Sequence, residues 1–135
     1  MNIIGHGIDI VEVSQIEKII KRSGERFETR CFTVSERNVT EAHSKRIQYL
    51  AGRFAAKEAV LKALGTGWSK GISFLDIEIQ RLPTGQPSVT LYARCKEVAE
   101  ELGITVWFLS ISHTQSCAIA SVIAIGPNLI NAETQ

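Results

Sequence analysis

The spacing of hydrophobic residues changes several times along the chain, and in the first segment apolar side chains recur at every second position. Residues 3–13 carry β-branched and apolar side chains at alternating positions, which predicts a strand. Asp9 lies on the opposite face of this strand from Ile8 and Ile10. An acid at the centre of a strand is either an edge residue turned to water or part of a site. The pattern alone leaves both readings open.

Two helix starts are predicted by capping boxes, in which a Ser or Thr is followed three positions later by Glu. Ser14 and Glu17 form one such pair, and the helix that they start is expected to end at Gly24. Thr33 and Glu36 form the other pair. We therefore expect a short second helix after the first.

The long central segment, from Ser44 to Leu64, carries apolar side chains around most of its helical circumference. This distribution is typical of a helix buried in the middle of a small domain. Ser44 is a suitable N-cap, Gly52 indicates close packing inside the helix, and Gly65 predicts its end. The rest of the chain is expected to pack around this helix.

The second half of the chain predicts four strands and one helix. Residues 72–79 and 88–93 flank a turn rich in Pro and Gly, which predicts a hairpin. Residues 94–102 have helical spacing, whereas residues 106–112 and 117–125 are strand-like and look buried on both faces. The order of elements predicts an α+β fold in which an antiparallel sheet wraps around the long central helix.

Four charges on the long helix are candidates for chemistry. Glu58 and Lys62 stand four residues apart on one face, and Arg53 and Lys57 on another, so each pair can act on one spot. In an arbitrary helix we would expect a surface salt bridge between Glu58 and Lys62, and two solvated bases. Among Ala, Phe and Leu, however, buried ionised groups need a partner, and a metal ion with phosphates would supply one.

The composition sets broad limits on function. With 135 residues and 14.9 kDa the chain fits one domain, expected over residues 1–127, with a tail at residues 128–135. A net charge of +1 gives no global attraction to nucleic acid or membrane. No stretch resembles a signal peptide or a membrane span, and three widely separated cysteines predict free thiols. We expect a cytoplasmic protein.

Three segments of the chain together resemble one family. They are GIDIVE at residues 7–12, RFAAKEA at 53–59 continuing to KALGTG at 62–67, and SISH at 110–113. In this order and spacing they closely resemble the holo-[acyl-carrier-protein] synthases, the short bacterial class of 4′-phosphopantetheinyl transferases. Further segments between them are also similar, so the resemblance covers nearly the whole chain.

The resemblance implies a reaction and its partners. It is the Mg²⁺-dependent transfer of the 4′-phosphopantetheine arm from coenzyme A to a serine of apo acyl carrier protein, in support of fatty acid biosynthesis. Adenosine 3′,5′-bisphosphate is released. Phosphoryl transfer from a pyrophosphate needs a hard cation and bases that offset the charge on the leaving group. The resemblance also implies a homotrimer with its sites at subunit interfaces.

The same resemblance assigns roles to single residues. Asp9 and Glu58 match the acids that bind the metal ion, and Glu58 is also our candidate for the general base. Lys62 matches a basic residue near the coenzyme A phosphates. Contacts at the nucleotide end, supplied in part by a neighbouring chain, are implied for three residues: Arg53, His113 and Gly65.

Two positions depart from the family's pattern. Gln15 stands where many members have an arginine early in the first helix, at the place where carrier protein docks. We therefore expect docking on the bases that follow, which we call the basic face of the first helix: Lys18, Lys21 and Arg22. Thr114 follows the SISH segment where an acid is common, so no role is carried over to that position.

Two other classes of function remain open. A non-catalytic module would bind coenzyme A or another nucleotide without turnover, although it would then have no need of two metal-binding acids. A purely structural oligomer would keep Glu58 and Lys62 as a salt bridge and Asp9 as an exposed edge residue. In that case His113 would be a loop histidine with a structural hydrogen bond.

Overall fold

The computed structural model describes residues 1–38, 42–67 and 71–127. In chain order the elements are β1 (Asn2–Glu12), α1 (Val13–Ser23), α2 (Glu25–Cys31), α3 (Val34–Arg37), α4 (His43–Leu64), a 3₁₀ turn (Phe74–Asp76), β2 (Ile77–Arg81), β3 (Pro87–Leu91), α5 (Ala93–Glu101), β4 (Val106–His113) and β5 (Cys117–Gly126). The predicted tail at residues 128–135 lies outside the described residues, and the division of the chain at residue 127 stays a prediction.

Three strands form an antiparallel sheet in the order β1-β5-β4, and β2 and β3 form a separate hairpin. Within the three-stranded sheet Asp9 lies opposite Ala120, which in turn lies opposite Ile111. Side chains that share this face of β5 are fully buried against α4, among them Ala118 and Val122. We call this the inner face of the sheet.

Helix α4 lies directly on the inner face because two glycines of β1 remove the side chains that would keep it away. A Cβ atom at Gly7 would lie 1.9 Å from the carbonyl oxygen of Ala59, and one at Gly5 would lie 2.0 Å from that of Ala63. Such distances exclude any side chain at either glycine. The predicted antiparallel sheet wrapped on a long central helix is therefore confirmed.

The predicted ends of the elements are only partly correct. The capping box of Thr33 and Glu36 is present, and Gly65 ends α4 with a left-handed φ of 74°. The cap at Ser14 is wrong, because β1 runs straight into α1, where the Val13 N–H donates to the Ser116 carbonyl. The cap at Ser44 is also wrong, because α4 begins one residue earlier and has no side-chain cap.

Two other elements differ from the predictions. Helix α2, Glu25–Cys31, was not predicted, because it follows α1 after the single residue Gly24. The first part of the predicted strand at residues 72–79 is a 3₁₀ turn, where Ser73 and Asp76 form a capping box of their own. Only Ile77–Arg81 pairs as a strand, so the hairpin is shorter than predicted.

The other side of the sheet, which we call the outer face, carries apolar side chains in contact with solvent. Ile8 is 56% exposed, Ile10 63% and Phe108 57%, and Ile119 of the central strand is 40% exposed. The prediction that the last two strands are buried on both faces is therefore wrong for a single chain. Among the described residues no helix has the length and hydropathy needed to cross a membrane.

The three cysteines are free thiols, as predicted. Cys31 and Cys95 are buried, and burial raises the pKa of Cys31 to about 11 and that of Cys95 to about 12. Thiols with such pKa values are protonated and unreactive at neutral pH. Neither cysteine is a candidate nucleophile.

Candidate active site

Asp9 and Lys62 meet where β1 crosses the C-terminal half of α4. Asp9 points inward from the strand and is 17% exposed, and the Lys62 Nζ atom lies 3.0 Å from its Oδ1 atom. The same ammonium donates a hydrogen bond of 2.9 Å to the Ile8 carbonyl oxygen. Of the two readings of Asp9 from the sequence, the geometry favours a site, because the carboxylate faces the helix and not water.

Glu58 lies one turn before Lys62 on the same face of α4 and is half-buried. Burial raises the pKa of its carboxyl group, and the charge of Asp9 raises it further, whereas Lys62 lowers it. The electrostatic effect of Asp9 on Glu58 means that the two acids share one environment. The surface salt bridge considered between Glu58 and Lys62 is not the pair that forms, because Lys62 pairs with Asp9.

These residues fit a small divalent cation. Two carboxylates that disfavour each other's charge are stabilised by a cation between them, and Mg²⁺ takes one or two carboxylates and completes its shell with waters and phosphates. Within residues 1–38, 42–67 and 71–127 no group of three or more His, Cys, Asp or Glu side chains is placed to hold a metal. The donor set therefore fits Mg²⁺ with open positions better than a closed cage of protein ligands.

A second group of site residues lines a cavity of about 580 Å³ between α4, the hairpin and the end of β4. It contains two residues predicted from the sequence, Arg53 and His113. It also contains residues that were not predicted: Lys45, Gln48, Tyr49, Gly52, Arg81, Gly85, Pro87 and Ile111. Three of its side chains carry permanent positive charge, so the cavity is suited to an anion.

Arg53 is the buried base of this cavity. It is 4% exposed, and its guanidinium carbon lies 3.7 Å from the centre of the Tyr49 ring. Its Nε and Nη2 atoms are buried and have no hydrogen-bond partner among the described residues. Burial lowers the pKa of Arg53, Tyr49 opposes that shift, and the nearby charge of Arg81 adds to it. Buried donors without a partner are costly, so this arrangement favours an anionic ligand.

One signal in the sequence could have revealed part of this cavity. Lys45, Tyr49 and Arg53 follow one another at intervals of four residues, which places them on one face of α4. Arg81 has no such signal, because only the hairpin brings the end of β2 to the helix. The basic and aromatic face of the helix could therefore have been predicted from the sequence, whereas the contribution of the hairpin could not.

Lys57 does not join Arg53 at one spot, and it is not a solvated base. Its side chain is completely buried, and its Nζ atom lies 2.7 Å from the Glu36 carboxylate. It also donates hydrogen bonds of 2.6 Å and 3.1 Å to the Cys31 and Phe74 carbonyl oxygens. Burial lowers the pKa of Lys57, and Glu36 opposes that shift. Lys57 therefore holds α3 and the 3₁₀ turn on α4.

The predicted site residues fall into two groups at opposite edges of the sheet. Asp9, Glu58 and Lys62 lie beside β1, whereas Arg53 and His113 lie beside β4, and β5 separates the two strands. Gly65, the exposed cap of α4, follows Lys62 by three residues and so belongs to the end of the helix near the first group. No hydrogen bond or ion pair between the described residues joins the two groups.

Comparison with known proteins agrees with this architecture. The family model of the 4′-phosphopantetheinyl transferase superfamily matches residues 5–120. The chain belongs to this superfamily. Holo-[acyl-carrier-protein] synthase from Pseudoalteromonas atlantica is 46% identical over 127 residues, which cover 94% of this chain and 100% of the relative.

Solved structures of such transferases have the same fold. Helicobacter pylori holo-[acyl-carrier-protein] synthase in complex with coenzyme A has a TM-score of 0.78 and 39% identity, over 89% of this chain and 99% of that one. Plasmodium yoelii acyl carrier protein synthase with ADP bound has a TM-score of 0.83 and 38% identity, over 94% and 98% of the two chains. The predicted family and fold are thus confirmed.

Proposed function

We propose that this phosphopantetheinyl transferase moves the 4′-phosphopantetheine arm of coenzyme A to a serine of apo acyl carrier protein, in support of fatty acid biosynthesis. The serine oxygen forms a bond to the β-phosphorus, and the bond from that phosphorus to the bridging oxygen breaks. The products are holo acyl carrier protein and adenosine 3′,5′-bisphosphate. The single observation that carries the proposal is the meeting of Asp9, Glu58 and Lys62 between β1 and α4.

Asp9 and Glu58 are proposed to hold Mg²⁺, which when bound would neutralise the pyrophosphate of coenzyme A. Glu58 is also the proposed acceptor of the serine proton. Its position one turn before Lys62, in the same electrostatic environment as Asp9, supports this role, because a general base must lie close to the group whose proton it accepts. Lys62 is proposed to face the phosphates and offset the charge that develops on the leaving group.

The cavity beside β4 is proposed to hold the nucleotide end of coenzyme A. The unpartnered donors of Arg53 suit the 3′-phosphate, and His113 lines the same cavity. Gly65, which lies near Asp9, Glu58 and Lys62, would border the nucleotide from that side. Because the two groups lie at opposite edges of one sheet, a neighbouring chain would supply the cavity to complete each site. A homotrimer that covers the apolar outer face would bring them together.

A mass measurement tests the reaction. Apo acyl carrier protein incubated with the enzyme, coenzyme A and Mg²⁺ should gain the mass of one phosphopantetheine group, and omission of Mg²⁺ should abolish the gain. Glu58→Gln should lower the rate by at least about a hundredfold, whereas Lys96→Gln, an exposed change on α5, should not. Binding of coenzyme A without any gain in mass, with several carriers, would favour the non-catalytic module.

The nucleotide cavity is tested separately with dephospho-coenzyme A, which lacks the 3′-phosphate. Arg53→Met should raise the KM for coenzyme A, and leave that for dephospho-coenzyme A nearly unchanged, because the lost contact is to the 3′-phosphate. Equal effects on the two substrates would contradict the role given to Arg53. They would leave the roles of Asp9 and Glu58 untouched.

Carrier protein is proposed to dock on the basic face of α1. Lys18, Lys21 and Arg22 are exposed there, and Lys21 forms a solvent-exposed ion pair of 3.1 Å with Glu17. Exposed pairs of this kind are weak, so Lys21 is free to exchange Glu17 for an acidic partner. Reversal of the three charges should raise the KM for carrier protein and spare that for coenzyme A. Equal KM values for carrier protein in the variant and the wild-type enzyme would contradict docking at this surface.

A further inference from the structure

Lys62 occupies an unusual position for a residue with a proposed role at phosphates. Its Nζ atom donates to Asp9 Oδ1 at 3.0 Å and to the Ile8 carbonyl oxygen at 2.9 Å, so two of its three protons point at β1. The side chain of Lys62 is 54% exposed, whereas that of Asp9 is 17% exposed. An exposed lysine side chain therefore ends on a mostly buried carboxylate.

This position conflicts with the proposed work of both residues. The ammonium occupies one oxygen of the Asp9 carboxylate, which is also a proposed ligand of the metal ion. Two cations on one carboxylate group would lie within about 5 Å of each other, where like charges repel even near a protein surface. Lys62 and the metal ion therefore compete for Asp9, and a bound divalent ion favours departure of the ammonium.

We infer that Lys62 is a placeholder cation: its ammonium holds Asp9 in the metal-free enzyme, the divalent ion displaces it, and the phosphates of coenzyme A receive it. The inference rests on the proposed metal site. It explains why Asp9 and Glu58 can share one electrostatic environment beside α4 before metal arrives, since the ammonium offsets part of the repulsion between the two carboxylates. It also gives one side chain two alternative anionic partners.

Coupling between the two ligands follows from this exchange. Metal alone must break the Lys62–Asp9 contact, and the displaced ammonium gains no new anion. When coenzyme A is present, the phosphates accept the ammonium, so each ligand should strengthen binding of the other by the same factor. If Lys62 instead remained on Asp9 as a permanent anchor of β1, the metal would have to bind through Glu58, and Lys62 would contribute nothing to the coupling.

Binding of Mn²⁺, followed by the electron paramagnetic resonance signal of the free ion, tests the exchange without turnover. In the absence of coenzyme A, Lys62→Gln should bind Mn²⁺ up to about fivefold more tightly than wild-type enzyme, as expected for loss of a competing exposed ion pair. Lys96→Gln should bind as wild type, which controls for the loss of one positive charge. Coenzyme A should tighten Mn²⁺ binding more in wild type than in Lys62→Gln.

The contact itself can be followed by nuclear magnetic resonance of lysine side-chain ammonium groups. The metal-free enzyme should show one Nζ signal protected from exchange that is missing in Lys62→Gln, and Mg²⁺ should shift it or remove its protection. Equal or weaker Mn²⁺ binding by Lys62→Gln, or an Nζ signal that Mg²⁺ leaves unchanged, would overturn the placeholder role. Absence of Mn²⁺ binding in every variant, with and without coenzyme A, would overturn the metal site itself.

Discussion

Replacement of Lys57 by Met should destabilise the protein more than most single substitutions. The ammonium of Lys57 is fully buried, and its three protons are matched by acceptors at 2.6, 2.7 and 3.1 Å. Met fills the space of the aliphatic stem but leaves the carboxylate of Glu36, which is 1% exposed, without its counter-charge. Removal of one partner from a buried ion pair costs about 3–5 kcal/mol, so we expect a loss of that size.

Part of this loss comes from the stranded charge, and a double variant isolates that part. Glu36 accepts a hydrogen bond from the backbone N–H of Thr33 on Oε1 at 2.8 Å and one from that of Ile79 on Oε2 at 2.9 Å, and Gln can keep one of the two through its single carbonyl oxygen. Lys57→Met combined with Glu36→Gln should therefore be more stable than Lys57→Met alone, because no unpaired charge is buried. Glu36→Gln alone should be destabilised, since it strands the lysine.

Urea unfolding followed by circular dichroism measures these differences. Protomer concentration must be equal for all variants, because association contributes to apparent stability. Lys96→Met, an exposed change on α5, should lie within about 0.5 kcal/mol of wild type. A loss below about 1 kcal/mol for Lys57→Met, or a double variant whose loss is the sum of the two single losses, would refute the reasoning.

Three other perturbations test packing, assembly and electrostatics. Gly7→Ala places a Cβ atom 1.9 Å from the Ala59 carbonyl oxygen and should cost about 3 kcal/mol, seen as a lower Tm; an unchanged Tm would contradict the close approach of β1 and α4. Phe108→Glu on the outer face should dissociate the proposed trimer in analytical ultracentrifugation and abolish transfer. In metal-free protein, Glu58→Gln should raise stability at pH 7 but not near pH 4. Because the pKa of Glu58 is raised in the folded state, the folded protein loses stability as pH rises through that pKa and the carboxyl group becomes charged. Equal effects of Glu58→Gln at both pH values would contradict this reasoning.

Features that depend on residues within one turn or one strand were predictable from the sequence. The strand predicted over residues 3–13 is present as Asn2–Glu12, with a register shift between Ile3 and Gly5, and the end of the long helix at Gly65 and the capping box of Thr33 and Glu36 are also present. Three short segments, around Asp9, along the central helix and at residues 110–113, together predicted the family. Each of these signals is local, because hydrogen bonds and caps in helices join residues three or four positions apart.

Features that depend on distant partners were decided only by the tertiary structure. From the sequence, Lys62 was either the partner of Glu58, four residues away, or a base near the coenzyme A phosphates, yet it pairs with Asp9, which is 53 residues away. Lys57 was grouped with Arg53, yet it pairs with Glu36 at a separation of 21 residues. Helical spacing shows which charges share a face, but the packing of β1 and α3 on α4 decides which carboxylate reaches each ammonium. An unpaired charge in the protein interior is costly, so a buried charge is most stable beside an opposite one. Only the fold determines which partners are near.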